Sequence, residues 1–240
     1  MQAPGWDISK YEIVTDWEAA CAQYNFFVLR ATVGDYYTDP TFVPYWDGLT
    51  GQGVIKGAYH VVAPADGYGR RITAEQQMSR FLEVVGERHP DIPWILDCEL
   101  DRGQSKAYIT DLLLECVDIL KAHSPRMPII YSRASWWDVY VNPSVVWPQC
   151  DLWAARYASG LTGPWSDGKY KFRDWTTWKF WQWSTSGVVP GIDGYVDLNV
   201  FNGTVNDLGD YAGSAPPLSL SEKVGILWRE AGNAGWNLEP

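Results

Sequence analysis

The sequence predicts an α/β fold, a TIM-like barrel of eight strands and about five helices with the pattern (β/α)5(β)3. Short apolar segments of strand length recur along the chain, and amphipathic helical patterns separate most of them. Repeated strand–helix–strand units are typical of a parallel sheet with right-handed crossovers. The length of 240 residues suits a single barrel of this kind.

Eight segments have the length and composition of strands. Several are continuously apolar, as expected of parallel strands that helices cover from outside. In chain order the segments are 5–9, 26–32, 55–62, 94–99, 128–132, 152–157, 179–184 and 196–201.

Two of the intervening helices are marked by their caps. Thr73 and Gln76 have the spacing of a capping box, in which each side chain satisfies a free backbone amide. Ser105 is placed to cap the next helix, whose apolar stripe runs from Ile109 to Leu120. Each predicted helix lies between two predicted strands, as a parallel crossover requires.

The alternation of strands and helices ends late in the chain. The sequence between Tyr157 and Lys179 is rich in Gly, Trp and Asp without helical periodicity, and the segment between Ser184 and Val196 is shorter still. A parallel crossover needs about a dozen residues or more, usually a helix. Loops or hairpins are therefore expected to join the last three strands.

The composition excludes several classes of protein. The 19 Lys and Arg against 29 Asp and Glu give a net charge of −10, which argues against a nucleic-acid or anionic-membrane partner. No apolar run approaches the length of a membrane span. The four cysteines lie in apolar surroundings without a CxxC pair, and there are only three His. We therefore expect buried thiols at Cys21, Cys98, Cys116 and Cys150, with no metal and no cofactor.

The chain is predicted to divide into a barrel at 1–213 and a tail at 214–240. The tail begins with a Pro-containing linker and continues as a short amphipathic helix over 218–232. That helix either docks on its own barrel or mediates self-association. The N-terminus has no basic region followed by an apolar one, so we expect no signal peptide. Release by another route and earlier removal of a signal both stay open.

Two acids stand at the end of the fourth predicted strand. Asp97 and Glu99 are two residues apart, so strand alternation puts both on one face and Cys98 on the other. The C-terminal ends of barrel strands face the mouth where active sites lie. Two neighbouring acids can leave one protonated and one ionised, which glycoside hydrolysis requires. A pair of solvated loop acids is the alternative.

Two further acids lie on the first and last predicted strands. Asp7 and Asp197 are expected to approach each other, because these two strands become neighbours when a barrel closes. Each acid alone could instead belong to a turn or a helix cap. Four acids at the strand ends of one barrel favour a site built from carboxylates.

Nine short stretches, spread over roughly residues 5–203, occur in the order typical of one family. They are 5–9 (GWDIS), 30–34 (RATVG), 39–42 (DPTF), 57–60 (GAYH), 97–99 (DCE), 128–131 (PIIY), 152–157 (LWAARY), 181–184 (WQWS) and 196–199 (VDLN). The chain thereby resembles glycoside hydrolase family 25, the lysozymes or Chalaropsis-type muramidases. The fold of that family, eight strands with five helices, agrees with the count above.

The resemblance implies cleavage of the β-1,4 bond between N-acetylmuramic acid and N-acetylglucosamine in peptidoglycan. The partner would be a glycan strand, reached after secretion or after release to the cell wall as in phage endolysins. The resemblance implies Glu99 as general acid and Asp97 as nucleophile or as the group that assists the 2-acetamido group. Asp7 and Asp197 would complete the acids of the site. The implied sugar-contacting wall consists of Tyr59, Tyr131, Trp153, Tyr157 and Gln182.

The chain departs from the family pattern near the predicted mouth. Many members have Lys and Glu where this chain has Arg30 and Val33, which concerns specificity more than activity. Arg70 and Arg71 could meet lactyl or peptide carboxylates of the substrate, since a guanidinium pairs well with carboxylate. Solvated loop charges are the alternative for these two arginines.

Two other functions compete with a muramidase. A chitinase-like barrel of family 18 would carry DxxDxDxE on its fourth strand, but Ile92 and Ile95 stand where two of those acids belong. A catalytically inactive barrel retained for cell-wall binding would use the aromatic wall without cleavage. Against that interpretation, all four acids are present.

Overall fold

The computed structural model describes residues 1–213, in which eight strands close into a barrel. The strands are β1 (Pro4–Ile8), β2 (Ile13–Val14), β3 (Phe26–Val33), β4 (Tyr37–Thr38), β5 (Ile55–Val61), β6 (Ile95–Asp97), β7 (Ile129–Ser132), β8 (Leu152–Ala155), β9 (Phe180–Gly187), β10 (Ile192–Asp193) and β11 (Val196–Phe201). The helices are α1 (Trp17–Cys21), α2 (Phe42–Leu49), α3 (Ala74–Val85), α4 (Lys106–His123), α5 (Ala134–Tyr140) and α6 (Val205–Ala212), with a 3-10 turn at Trp147–Gln149.

The order of the strands confirms the predicted barrel. Around it the strands run β1, β11, β9, β8, β7, β6, β5 and β3, and a parallel pairing of β1 with β3 closes the ring. Helices α1 to α5 each lie between two consecutive barrel strands, and loops or hairpins join β8, β9 and β11. Strand β11 is antiparallel to both of its neighbours, because the connection from β9 is too short for a crossover.

The helix caps form as the sequence predicts. The Thr73 hydroxyl accepts a hydrogen bond from the backbone N–H of Gln76 at 3.2 Å, and the Gln76 side chain accepts one from the N–H of Thr73 at 3.0 Å. The Ser105 hydroxyl likewise accepts from the N–H of Tyr108 at 3.3 Å. These bonds satisfy amides that the first helical turn leaves unpaired, so they fix where α3 and α4 begin.

A sixth helix, α6, follows the last strand and was not among the predicted elements. Thr204 and Asp207 form its capping box, with Asp in the place where Glu or Gln is usual. Leu208 is fully buried, and the Tyr211 ring packs against Phe180 with centroids 5.9 Å apart. The helix therefore covers the end of the barrel at which the parallel strands begin.

The interior of the barrel is divided into an apolar end and a polar end. Apolar side chains near the N-terminal ends of the parallel strands fill the end next to α6. They include Phe26, Val28, Ile55, Ile95, Ile129 and Phe180, with Phe201 from antiparallel β11. The opposite end, at the C-terminal ends of the parallel strands, is left to polar and charged residues.

A small second sheet ties two loops together beside that polar end. Strand β2 in the loop after β1 pairs with β10 in the connection from β9 to β11. Next to this pair, the carbonyl oxygen of Gly191 accepts from the backbone N–H groups of Thr15 and Asp16, at 2.8 and 3.1 Å. Gly191 has a φ of +79°, and a Cβ there would overlap the carbonyl oxygen of Asp16.

We expect Gly191→Ala to destabilise the protein by about 2 kcal/mol or more, because it combines backbone strain with a steric overlap. For a chain of this size, that corresponds to a fall in Tm of about 4–8 °C. Gly67→Ala is the matched control, since a Cβ at that position meets no atom within 4 Å. Equal Tm values for the two variants in a thermal unfolding experiment would contradict the expectation.

Three further sequence predictions concern the cysteines, membrane-spanning helices and the C-terminal tail. The four cysteines are buried, as predicted. None of the helices in residues 1–213 has the length and apolar composition that crossing a bilayer requires. The predicted linker and the helix over 218–232 lie outside the described residues, so the domain boundary and self-association stay predictions.

Candidate active site

A cavity of about 380 Å³ lies at the polar end of the barrel. Asp7 comes from the end of β1 and Asp97 from the end of β6, while Asp197 comes from the beginning of antiparallel β11. Glu99 follows β6 by two residues. All four acids line the cavity, which therefore occupies the position at which barrel enzymes carry their active sites.

Asp97 and Glu99 form the first pair of acids. Both line the cavity, whereas Cys98 packs into the core between strands and helices. Burial raises the pKa of Asp97 well above its ordinary value, and the charges of Glu99 and Asp7 add to the effect. Burial also raises the pKa of Glu99, which the positive charge of Arg133 opposes. The pair therefore retains a proton to a higher pH than an isolated carboxyl group would.

One oxygen of Asp97 has an unusual environment. The side chain is only 8% exposed, and its Oδ1 has no hydrogen-bond partner within the described part of the chain. Leaving a buried hydrogen-bond acceptor without a donor lowers the stability of the folded protein. Because this atom belongs to a residue that lines the cavity, a ligand with an N–H or O–H group can supply the missing donor.

Asp7 and Asp197 form the second pair and lie directly opposite each other in the register of β1 and β11. The Gln182 amide nitrogen donates to Oδ2 of both, at 2.8 and 3.2 Å, and the Asn199 amide nitrogen donates to Asp7 at 2.7 Å. Burial and then the charge of Asp197 raise the pKa of Asp7 well above its ordinary value. Burial and then the charge of Glu12 raise the pKa of Asp197 to about 6.

Two amides connect this second pair to the aromatic side chains. The Gln182 oxygen accepts from the hydroxyl groups of Tyr131 and Tyr157, at 2.8 and 2.5 Å. The Asn199 oxygen accepts from the Trp153 indole N–H at 2.9 Å. Each amide is thereby held with its nitrogen toward the acids and its oxygen toward the aromatic groups.

The nine predicted site residues come together at this end of the barrel. Eight line the cavity, and Tyr157 reaches it through its bond to Gln182. Trp153 and Gln182 are each 2% exposed, whereas Tyr157 is 50% exposed. Trp153, Gln182 and Tyr131 therefore belong to the floor of the cavity, and Tyr157 belongs to its rim.

Two residues that influence the acids of the site were not predicted: Asn199, which donates to Asp7, and Glu12, whose charge raises the pKa of Asp197. Asn199 follows Asp197 by two residues on the same strand, so strand alternation could have pointed to it. Glu12 lines the cavity from the irregular loop after β1, where its carboxylate accepts from the backbone N–H of Ser9 at 2.8 Å. No periodic pattern marks a residue in such a loop.

The two loop arginines proposed for substrate binding have partners in the protein. Arg70 pairs with Asp35 at 2.8 Å and with Asp66 at 3.0 Å. Arg71 donates to the Gln104 side chain at 2.8 Å. Neither arginine lines the cavity, and their contacts with Asp35 and Gln104 favour a structural role in which both join their loop to neighbouring segments.

We expect Asp197→Asn to raise the Tm at pH 7 by about 2–4 °C, the equivalent of about 1 kcal/mol. A carboxyl group whose pKa rises from 3.8 to about 6 on folding contributes stability at low pH that is lost as the pH rises through the folded value. The Asn side chain keeps an oxygen for Gln182 but has no charge. The difference in Tm between variant and wild type should therefore shrink to zero near pH 4.

Thermal unfolding of both proteins between pH 4 and pH 7 measures this difference. His60 titrates in the same range, since burial lowers its pKa to about 4. Its contribution has the opposite sign but is common to both proteins, so it cancels. A difference that does not change with pH would contradict the raised pKa of Asp197.

Comparison with known proteins agrees with this architecture. The model of glycosyl hydrolases family 25 matches residues 6–192. The uncharacterized protein YegX of Escherichia coli K12 is 31% identical over 211 residues, which are 85% of this chain and 71% of that protein. Lysozyme M1 of Streptomyces globisporus is 29% identical over 215 residues, which are 83% of this chain and 68% of that protein.

A solved structure shows the same fold. The bacterial lysozyme from Streptomyces coelicolor superposes with a TM-score of 0.77 at 26% identity, and the match covers 88% of this chain and 97% of that one. The family match covers more than half of the chain, including Asp7, Asp97 and Glu99. The chain therefore belongs to glycosyl hydrolases family 25 and is a glycoside hydrolase.

Proposed function

We propose that this hydrolase is an N-acetylmuramidase, a lysozyme that cleaves the β-1,4 bond between N-acetylmuramic acid and N-acetylglucosamine in peptidoglycan. The observation that carries the proposal is the pair Asp97 and Glu99, two acids with raised pKa values in the cavity of a family 25 barrel. The relative named Lysozyme M1 supports the class of substrate. The enzyme would act at the cell wall after secretion or release.

Glu99 has the properties of the general acid. It lines the cavity, and burial raises its pKa, so it keeps a proton at a pH where an exposed Glu has lost one. In the first step the C1–O bond of the muramic residue breaks, and Glu99 gives its proton to the departing O4 of N-acetylglucosamine. In the second step water attacks C1, the bond that C1 formed in the first step to the acetamido oxygen (or to Asp97) breaks, and the Glu99 carboxylate takes the proton of the water.

Asp97 is suited to assist the 2-acetamido group of the muramic residue. Its unpartnered Oδ1 can accept from the acetamido N–H while the acetamido carbonyl oxygen attacks C1. A hydrogen bond to the charged form lowers the pKa of a carboxyl group. Substrate binding would therefore favour the ionised form of Asp97 and leave the shared proton on Glu99. Direct attack of Asp97 on C1 is the alternative.

Asp7 and Asp197 would supply negative charge near the reacting carbon, because a positive charge that develops there favours their ionised forms over the protonated forms that burial favours. Their charges would stabilise the positive charge that develops on the sugar ring in the transition state. Gln182 and Asn199 hold these acids and the aromatic residues in one hydrogen-bonded arrangement. Tyr59 and Tyr131 line the same cavity and would contact the sugars.

Digestion of purified peptidoglycan tests the proposal. We expect new reducing ends that mass spectrometry identifies as N-acetylmuramic acid. Reducing ends of N-acetylglucosamine would assign the enzyme to the other glycosidic bond. Retained binding to the cell wall without cleavage would instead favour a catalytically inactive, wall-binding barrel.

A further inference from the structure

A second cavity lies beside the acid site. It has a volume of about 400 Å³ and is lined by the beginning of α5, the end of β8 and the loop that follows β8. Tyr157 connects the two cavities, because it lines the second one while its hydroxyl donates to Gln182 in the first. A substrate bound across the acids could therefore extend into this second cavity.

The lining of the second cavity combines apolar side chains with cations. Ala158, Pro164 and Phe172 supply apolar surface, and Arg133 and Arg156 supply positive charge. A cavity of ~300–1,000 Å³ with apolar walls and a few polar groups is typical of a binding site for a small organic molecule.

The two arginines differ in whether their charge is already paired. Arg156 pairs with Asp167 at 2.7 Å and stacks on the Tyr170 ring at 4.8 Å, so it holds the loop together. Arg133 is exposed and makes no ion pair or side-chain hydrogen bond within residues 1–213. Its charge is close enough to Glu99 to lower the pKa of that acid. The unpaired cation therefore lies near both the acid pair and the apolar surface.

We propose that this second cavity binds the stem peptide of the muramic residue, with Arg133 pairing with a peptide carboxylate. The inference rests on the proposed muramidase function. In peptidoglycan the lactyl group of the muramic residue carries a short peptide that contains alanine and free carboxylates. The apolar side chains of the cavity can pack against the methyl groups of alanine, and the guanidinium group of Arg133 can donate two parallel hydrogen bonds to a carboxylate. A lactyl carboxylate alone would leave most of a 400 Å³ cavity empty.

The test compares two substrates rather than absolute rates. Glycan strands that carry their peptides and the same strands stripped by an amidase are digested under identical conditions, and kcat/KM is measured for each. Arg133→Gln also changes the acidity of Glu99, but that effect is common to both substrates and cancels in their ratio. For each protein we divide kcat/KM on the peptide-bearing strands by kcat/KM on the stripped strands. We expect Arg133→Gln to lower this ratio about tenfold, as the loss of one charged hydrogen-bonded pair predicts.

Two further variants sharpen the test. Ala158→Phe fills the cavity without removing Arg133 and is expected to lower the ratio by a similar factor. Arg71→Gln is the control, because it removes a cation that lines neither cavity. The ratio should therefore not change in this variant. An unchanged ratio in Arg133→Gln, or an equal loss on both substrates, would overturn the peptide site. If the ratio fell as much in Arg71→Gln as in Arg133→Gln, the peptide site would not be specific to the second cavity and this proposal would be wrong.

The muramidase proposal and the peptide-binding proposal can fail separately, and the experiments distinguish the two cases. If the wild type cleaves neither substrate, the muramidase proposal fails. Calorimetric binding of N-acetylmuramyl dipeptide and of N-acetylmuramic acid then tests the cavity by itself. We expect the dipeptide to bind more tightly than the sugar, and Arg133→Gln to remove the difference. Equal binding of the two ligands to the wild type would overturn the peptide site.

Discussion

Replacement of Glu99 by Gln is expected to lower the turnover of peptidoglycan by ~10²–10⁴-fold, the usual contribution of a general acid. The Gln amide fills nearly the same space as the carboxyl group but has no proton to give to the departing oxygen. The side chain lines the cavity from the loop after β6. We therefore expect the variant to stay folded and to keep its affinity for the glycan.

Three measurements separate chemistry from folding and binding in this variant. Initial rates of reducing-end formation report turnover, thermal unfolding reports the fold, and sedimentation with insoluble peptidoglycan reports binding. Glu115→Gln is the matched control, because it makes the same chemical change on an exposed position of α4. Near-native turnover in Glu99→Gln would exclude Glu99 as the general acid.

The strands and most of the acid site could be predicted from the sequence because both depend on local patterns. Asp97 ends an apolar strand and Glu99 comes two residues later, so the local alternation of side chains is enough to predict that both lie on one face. The pairing of Asp7 with Asp197 needs only the closure of the barrel. Helix α6 was missed because its capping box uses Asp207 where the usual pattern has Glu or Gln.

Hydrogen bonds and ion pairs between residues far apart in the sequence could not be predicted from local patterns. The bond from Gln182 to Asp7 joins residues 175 positions apart. Arg70 and Arg133 cannot be told apart by their local sequence, but Arg70 pairs with Asp35 and Asp66 whereas Arg133 makes no ion pair within residues 1–213. Which cation is available to a ligand depends on these tertiary contacts.

Replacement of Asp97 by Asn is expected to reduce turnover by ~10²–10³-fold, comparable to the loss of one charge-stabilising group, without lowering the Tm at pH 7. Burial and the charge of Glu99 raise the pKa of Asp97 on folding. Such a group contributes stability at low pH and loses it as the pH rises through the folded value. Removing its charge should therefore leave the Tm unchanged or higher at pH 7. Asp111→Asn, on the exposed side of α4, is the control, and unfolding of Asp97→Asn would instead assign Asp97 a structural role.

Inhibition distinguishes the two roles that remain for Asp97. If it assists the acetamido group, a thiazoline analogue of the cyclised sugar should inhibit the wild type, and Asp97→Asn should bind the analogue more weakly. The reason is that the unpartnered Oδ1 would accept a hydrogen bond from the ring nitrogen of the protonated analogue. If Asp97 attacks C1, a fluorinated sugar should instead leave a covalent adduct on Asp97 that mass spectrometry detects. An adduct together with no inhibition by the thiazoline would exclude assistance by the substrate.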